Sequence, residues 1–537
     1  MLELRLCSAL DKVFITGESI LTPQAEGVML QNEQFSFQAA FRLTHGEPHS
    51  LTARISVSAP PPLRPDVFEV VSVPCELPVL DGQRDFLRAD AGFFPDALRP
   101  ALDSCCRVVP GHWQSLWILA DGCPEPGAYP VRVSVTAAGE TAQAVFTLRV
   151  LPGRLPESNF YASQWLHGDC LARAHGVEIF SETWWEILEH YLKTASRFGL
   201  NTLLTPVFTP PLDTAVGTYR PACQLTDVTC RGGQYTFGFE RLGRWIALAR
   251  RCGFRRFELS HLFTQWGAKA APQILARSGE RLFGWDTPSD SLRYRNFLAC
   301  FLPALRRYLC EIGVAEDCFL HISDEPEDEN LPQYAACVRL LRETMPGVPI
   351  LDAMGSFAVY EKSGIDVPVV SLDHMELFLQ RGVHPLWGYY CWVQRGGVSN
   401  RFLSMPSACA RVFGAQAYRY RLDGFLHWGF NFWNTFCSRA AVDPWRTTDA
   451  DGAFPGGDAF SVYPYGDGCA PSVRLLVFSQ ALQERRALEG YERKFGREAA
   501  LGLLRSHLGE LTLTEYPRGA KPYLDLQREL TLALSEK

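Results

Sequence analysis

The sequence predicts a multi-domain protein: an N-terminal β-sandwich, a (β/α)8 TIM-like barrel, and a C-terminal helical and strand extension packing on the barrel. Three observations predict it. Residues 1 to about 150 alternate with period two and carry no strong helical stripe. Beyond residue 157 the chain repeats a helix, a glycine stop and an apolar strand. Eight strand candidates can be found in that second part, enough to close a barrel. The expected divisions are 1–152, 157–470 and 471–537.

In the first part, Phe35 to Phe41, Leu51 to Val57 and Val131 to Val135 alternate between apolar and polar residues. Turn residues such as Pro124-Glu125-Pro126-Gly127 separate them, and Pro60-Pro61-Pro62 marks a loop or an edge. A sandwich of two sheets is the architecture such strands favour. Leu151 to Pro156 reads as a linker.

In the second part, the helices around 184–197, 242–251 and 297–311 end at Phe198-Gly199, Cys252-Gly253 and Ile312-Gly313. Each glycine supplies the left-handed residue that closes a helix, and an apolar strand follows. The strand candidates are 160–166, 200–205, 257–259, 319–322, 349–354, 367–372, 386–392 and 424–428. A doubly wound sheet would need no eighth strand. The tail from about Pro471 is charged and helical, and ends the barrel or packs under it.

Composition excludes several classes. A chain of 537 residues is too long for one small core. Net charge −7 leaves no basic footprint for a nucleic acid. No apolar run reaches the ~18 residues of a membrane span. Seventeen scattered cysteines without C-x-x-C spacing suit a reducing compartment. Met1 to Cys7 mixes both charge signs and lacks the basic n-region of a signal peptide, so a cytoplasmic location is expected. No His, Asp and Glu spacing specifies a metal, and no phosphate loop or Gly-x-Ser-x-Gly occurs; no cofactor is expected.

The segment His321-Ile322-Ser323-Asp324-Glu325-Pro326 follows the apolar run Cys318-Phe319-Leu320. It reads as a strand end delivering two adjacent carboxylates into a loop, the end of a barrel where chemistry sits. A carboxylate pair in an aromatic cleft is the minimum equipment for cleaving a glycosidic bond. Helix capping competes as an explanation: Ser323 or Asp324 as N-cap, with Pro326 in the first turn. Neighbours on a strand point to opposite faces, so both acids reach one pocket only if the strand has ended. Ordinary retaining glycosidases hold their carboxylates about 5 Å apart, usually on different strands. Adjacent acids fit better a mechanism in which one serves the leaving group and the other a group on the substrate.

Thirteen Trp and 18 Tyr accompany 34 Phe, and several Trp crowd between Trp387 and Trp445. Core filling accounts for most Phe. Trp and Tyr beside Asn, His and Asp also suit sugars, whose apolar faces stack on indoles and whose rims need polar partners. The candidate sugar wall is Trp387, Tyr389, Tyr390 and Trp392, then Trp428, Asn431, Trp433 and Asn434, with His167 after the first strand. Barrel packing explains any one of these equally well. Asp169, His261 and His374 also follow strand candidates, where a histidine is more often a hydrogen-bonding residue than a catalyst. Asp467 and Arg474 read as structural.

Taken together, Ile322-Ser323-Asp324-Glu325-Pro326, Leu386-Trp387-Gly388-Tyr389-Tyr390-Cys391-Trp392, Asp423-Gly424-Phe425-Leu426-His427-Trp428, Asn431-Phe432-Trp433-Asn434, Asp443-Pro444-Trp445, and Tyr463-Pro464-Tyr465-Gly466-Asp467-Gly468 with Pro471-Ser472-Val473-Arg474-Leu475 resemble glycoside hydrolase family 123 and its relatives carrying the domain of unknown function 4091. The resemblance covers roughly residues 157–490. It is looser in the N-terminal part, resting on Leu116-Trp117 and Gly127-Ala128-Tyr129-Pro130. Among the departures, Ser479 to Leu488 is less acidic than in many relatives.

The resemblance implies a retaining β-N-acetylgalactosaminidase that uses substrate assistance. Glu325 would protonate the glycosidic oxygen, and Asp324, kept charged, would orient the 2-acetamido group as it attacks the anomeric carbon. A tyrosine contacting the acetamido carbonyl is also implied, and either Tyr389 or Tyr390 fits. A glycosidase of other specificity using the same acids, and a non-catalytic carbohydrate-binding relative, are the alternatives. Oligomeric state is left open.

Overall fold

The computed structural model describes residues 1–17, 19–46, 49–101 and 105–535. Among these no helix is long and apolar enough to cross a membrane. The N-terminal region is rich in sheet. One five-stranded antiparallel sheet orders Leu2–Ser8, Gln34–Leu43, Gln114–Asp121, Asp66–Cys75 and Gly92–Pro100. A second orders Glu26–Leu30, Glu140–Leu151, Gly127–Ala137, Leu51–Ser58 and Cys105–Val108. The sheets meet through their alternating apolar residues. Phe37 of the first stacks on Phe146 of the second, with ring centroids 3.9 Å apart.

The strand Gln114–Asp121 explains how the two parts of the chain join. Leu116, Ile118 and Ala120 enter the core between the sheets, whereas Trp117 and Leu119 enter the large core shared with the C-terminal part. Alternation sends successive residues to opposite faces, and here both faces are buried.

The C-terminal part is a nearly closed barrel of eight parallel strands: β1 (Tyr161–Gln164), β2 (Thr202–Thr205), β3 (Arg256–Leu259), β4 (Cys318–Leu320), β5 (Leu351–Met354), β6 (Val367–Ser371), β7 (Trp387–Tyr389) and β8 (Gly424–His427). Neighbours pair from β1 to β4 and from β5 to β8, and β8 pairs back on β1. Between β4 and β5 the ladder thins to a single bridge, Leu320 to Ile350. Each strand is followed along the chain by at least one helix.

The helix stops lie where the glycines place them. Gly199, Gly253 and Gly313 have φ of 93°, 102° and 66°. At Gly253 a Cβ would also stand 2.5 Å from Ser196 Oγ, so no larger residue fits without a shift. The strands are shorter than the apolar runs: β7 holds three residues where 386–392 reads as strand. The rest of each run belongs to the loops.

The tail's first helix, Val473–Phe495, packs on the barrel wall, with Phe478 against Phe425 (4.9 Å) and Phe413 (6.0 Å). Its start is tied to the N-terminal sheets by Arg474, which is structural as expected. Asp96 accepts from Arg474 Nε at 2.9 Å, from Nη2 at 2.8 Å and from the Tyr463 hydroxyl at 2.6 Å. Asp96 is fully buried, so removing it leaves a buried guanidinium and hydroxyl without their acceptor.

Asp96→Ala should therefore cost about 3–5 kcal/mol. Arg99→Ala, which breaks the more exposed Arg99–Glu69 pair, should cost about 0–1 kcal/mol. Denaturant midpoints of the two variants check the difference; equal midpoints would remove Asp96 as the anchor between the regions.

Candidate active site

β4 ends at Leu320, and three residues later the chain turns. Asp324 and Glu325 both adopt left-handed backbone, with φ of 77° and 42°. Holding a non-glycine residue there costs about 1–3 kcal/mol, so the surroundings must enforce it. They do so from both flanks. Phe263 N–H donates to Ile322 O at 3.1 Å, Trp266 N–H to Asp324 O at 3.1 Å, and Glu325 N–H to Ala353 O at 3.0 Å. The Asp352 carboxylate accepts the N–H groups of Ser323 and Asp324, each at 3.1 Å. Two neighbours that a strand would send to opposite faces thus enter one cavity.

Helix capping does not account for these acids. The next α-helix starts at Leu331, after a 3-10 turn at Asp328–Asn330, and Pro332 rather than Pro326 takes its first turn.

The cavity measures about 210 Å³. Trp165, Tyr389, Trp392, Trp428 and Phe454 wall it, and the more exposed Trp266, Val393 and Phe436 stand on its lining. Asp213, Gln265, Asp324 and Glu325 supply its charged and amide groups. The Tyr389 hydroxyl donates to Glu325 Oε1 at 2.6 Å.

Burial raises the Glu325 carboxyl, the Tyr389 hydrogen bond opposes the rise, and Asp352, Glu327 and Asp373 add to it. Burial also pushes Asp324 well above the usual carboxylate range; Glu325 and Asp352 reinforce this, and His321 opposes it. A charged Asp324 beside a protonated Glu325 has to be held so against this burial. Both are driven toward protonation, and as adjacent like charges they titrate as a dyad. Asp213 is lifted by burial to about 6, against the hydrogen bond from Cys437 N–H and the charge of Arg220.

The structure sorts the aromatic candidates. Tyr389, Trp392 and Trp428 reach the cavity; Trp387, Tyr390, Asn431, Trp433, Asn434 and His167 do not line it. Trp387 opens β7 and fills the barrel interior, stacked on Tyr161 at 5.1 Å and edge-on to Phe319 at 5.5 Å. Tyr390 points away from Tyr389 and packs among Phe413, Phe425 and His427. Cys391 and Trp392 both line the cavity because the strand has ended and alternation no longer applies.

His167 and Asn431, which do not line the cavity, form a clip. His167 N–H donates to Asn431 Oδ1 at 2.8 Å, and Asn431 Nδ2 donates to His167 O at 3.0 Å. Burial and then Arg220 push His167 down to about 3, so it is neutral, and its Nε2 faces Trp428 O at 3.0 Å. Arg220 is paired with the buried Asp169 at 2.6 Å. Trp433 packs on Tyr191, and Asn434 Nδ2 reaches Cys170 Sγ at 3.3 Å. These residues secure the loop that carries Trp428.

Other residues join or support the cavity, and of these the sequence had pointed only to His261, after the third strand candidate, and to His321, at the head of the acidic segment. Trp165 closes the first strand run and reaches the cavity; its Nε1 donates to Glu258 Oε2 at 2.9 Å. Glu258 and Asp352 sit fully buried among apolar strand neighbours, and a carboxylate inside such a run was the available signal. His321 lies between them, Nε2 to Glu258 at 2.8 Å and Nδ1 to Asp352 at 3.4 Å. His261 stacks on His321, with centroids 4.3 Å and planes 26° apart. Asp213, Gln265, Phe436 and Phe454 come from loops that carried no pattern.

His261, His321 and Asp352 place donor atoms within 4.8 Å of one another, close enough to be tested against a cation. Stacked, nearly parallel imidazoles send their in-plane lone pairs side by side instead of to one point, and both His321 nitrogens already face carboxylates. The arrangement suits protons better than a tetrahedral metal.

Comparison with known proteins identifies the family and the fold. A family model described as the catalytic domain of glycoside hydrolase 123 matches residues 165–490, more than half of the chain. A family 123 glycoside hydrolase from Clostridium perfringens, solved for the details of glycolipid glycan hydrolysis, has the same fold: TM-score 0.75 at 16% identity, covering 99% of this chain and 97% of that one. An endo-β-1,4-mannanase from Thermotoga petrophila (TM-score 0.35, 14% identity, 62% and 77% covered) and a β-glucuronidase from Parabacteroides merdae (0.34, 9%, 90% and 51%) are too distant to add to it. No curated protein matches by sequence.

Tyr389→Phe removes the hydrogen bond that opposes the rise of Glu325. Such a bond to a charged group is worth about 1.5–3 kcal/mol, so Glu325 should titrate about one to two units higher. Carboxyl 13C titration checks this; an unmoved Glu325 would mean that the bond does not form in solution.

Proposed function

The chain belongs to glycoside hydrolase family 123 and is a glycoside hydrolase with a carbohydrate substrate; we propose that it is a retaining exo-enzyme that releases β-linked N-acetylhexosamine, above all N-acetylgalactosamine, by substrate assistance. One observation carries the reading. Asp324 and Glu325, adjacent in the chain, enter the same aromatic cavity through left-handed backbone. A pair so joined suits work on two neighbouring groups of one substrate face, the glycosidic oxygen and the 2-acetamido group.

In this mechanism Glu325 gives its proton to the glycosidic oxygen as the bond to the anomeric carbon breaks. The acetamido carbonyl oxygen attacks that carbon, forming an oxazolinium-like ring. Asp324, in its charged form, orients the acetamido N–H and offsets the developing positive charge. Glu325, now a carboxylate, takes a proton from water as the water attacks the same carbon and opens the ring. Two inversions leave the configuration retained. The elevated Glu325 suits an acid, and the proposed reaction requires the dyad to enter it with the proton on Glu325 and the charge on Asp324.

Trp165, Trp392 and Trp428 are proposed to stack on the sugar. Tyr389, rather than Tyr390, is proposed to contact the acetamido carbonyl, since its hydroxyl already meets Glu325. The nearly closed barrel is read as a (β/α)8 catalytic domain over 157–470, between a β-sandwich at 1–152 and an extension at 471–537. Seventeen free thiols support a reducing compartment such as the cytoplasm.

A panel of aryl glycosides tests the reading: β-N-acetylgalactosaminide, β-N-acetylglucosaminide, β-galactoside and β-glucoside. Turnover should be confined to the acetamido sugars, and Glu325→Gln should lower it about 10²–10⁴-fold. Turnover of plain galactoside with the acetamido sugars untouched would sink substrate assistance and leave a glycosidase of other specificity.

A further inference from the structure

Beneath the dyad lies a buried charge cluster that the mechanism above does not use. Resting on that reading, we propose that Glu258, His321 and Asp352 form a positioning relay, in which a histidine cation held between two carboxylates favours the charged form of Asp324 and leaves the dyad's proton on Glu325.

The geometry begins with His321. Both its nitrogens face carboxylate oxygens, Glu258 Oε2 at 2.8 Å and Asp352 Oδ1 at 3.4 Å. A nitrogen meeting a carboxylate must carry a proton, and two such nitrogens make an imidazolium. Burial opposes that charge, but Asp352 and Glu258 outweigh it and lift His321 to about 9. All three side chains are fully buried, so water screens the cluster little.

The neighbours do not cancel the charge. His261 stacks on His321 but is pushed well down by burial and then by the charge of His321, so the stacked pair carries one cation. Trp165 Nε1 donates to the same Glu258 oxygen, and the Tyr334 hydroxyl donates to Asp352 Oδ2 at 2.8 Å. Neither adds a charge.

Asp352 completes the link. The carboxylate that meets His321 also accepts the Ser323 and Asp324 amides, so it sets the position of the left-handed turn. Its negative charge lies close to Asp324 and pushes that acid up; the His321 cation pushes it back down. Without the cation, Asp352 would hold the turn in place while driving a second proton onto the dyad. The relay thus keeps the anchor and offsets its electrostatic cost.

The full-length protein tests this in two ways. In wild type, 15N NMR of the histidines should show His321 with both nitrogens protonated at pH 7.5 and losing a proton only near pH 9. A neutral His321 at pH 7.5 overturns the proposal and needs no variant. Second, the pH profile of kcat/KM is followed on whichever aryl glycoside is hydrolysed best. His321→Gln should move the acidic limb up by about one unit, because Asp324 becomes harder to ionise. Glu258→Gln, which leaves the imidazole in place but weakens its charge, should shift the limb in the same direction by less.

A uniform loss of activity with unmoved limbs would make the cluster merely structural and overturn the relay. So would one equivalent of tightly bound metal whose removal by chelator abolishes activity. Loss of acetamido preference would sink the function proposed above without moving these limbs, so the two failures are distinguishable.

Discussion

The site depends on one interaction: the Asp352 carboxylate at the seam between β4 and β5. The strands there are joined by a single bridge, and the amides of Ser323 and Asp324 beyond it have no ladder partner in β5. Asp352 supplies the missing acceptor from a side chain. A backbone ladder would have continued β4 straight and sent Asp324 and Glu325 to opposite faces. A side-chain acceptor instead permits the left-handed turn that brings both acids into the cavity.

That solution introduces a charge that must itself be answered. A buried carboxylate beside a carboxyl dyad is costly unless a cation and hydrogen bonds accompany it. His321, Tyr334 and the two amides are those partners, and Glu258 with Trp165 Nε1 extends the set to β3 and β1. The charged layer therefore connects several strands just under the cavity. The aromatics divide around the same layer: Trp387, Tyr161 and Phe319 fill the barrel interior, while Trp165, Tyr389, Trp392 and Trp428 wall the cavity.

Much of the fold was legible because it is written locally. Gly199, Gly253 and Gly313 announce helix ends because their left-handed backbone is a property of each residue and its immediate neighbours. Period-two runs likewise announce the N-terminal sheets. The adjacent acids were legible as a pair after an apolar run. Trp387 shares the face of Tyr389 but sits at the other end of β7, inside the barrel, and Tyr390 points to the opposite face, so neither lines the cavity. Depth and facing depend on where the strand begins and stops. His167 and Asn431 were read as sugar contacts; they lie 264 positions apart and bond to each other, a pairing no local pattern carries.

By itself, then, the sequence determined the order of elements, the two carboxylates at the end of β4 and the supply of aromatics, because these follow from local backbone preference and composition. Only the tertiary structure decided which aromatics meet the acids, that Tyr389 rather than Tyr390 touches Glu325, and that Glu258, His321 and Asp352 share their charges below. Those choices depend on strand length, barrel closure and contacts between distant segments. They also depend on burial, which turns ordinary strand residues such as Glu258 and Asp352 into the electrostatic setting of the site.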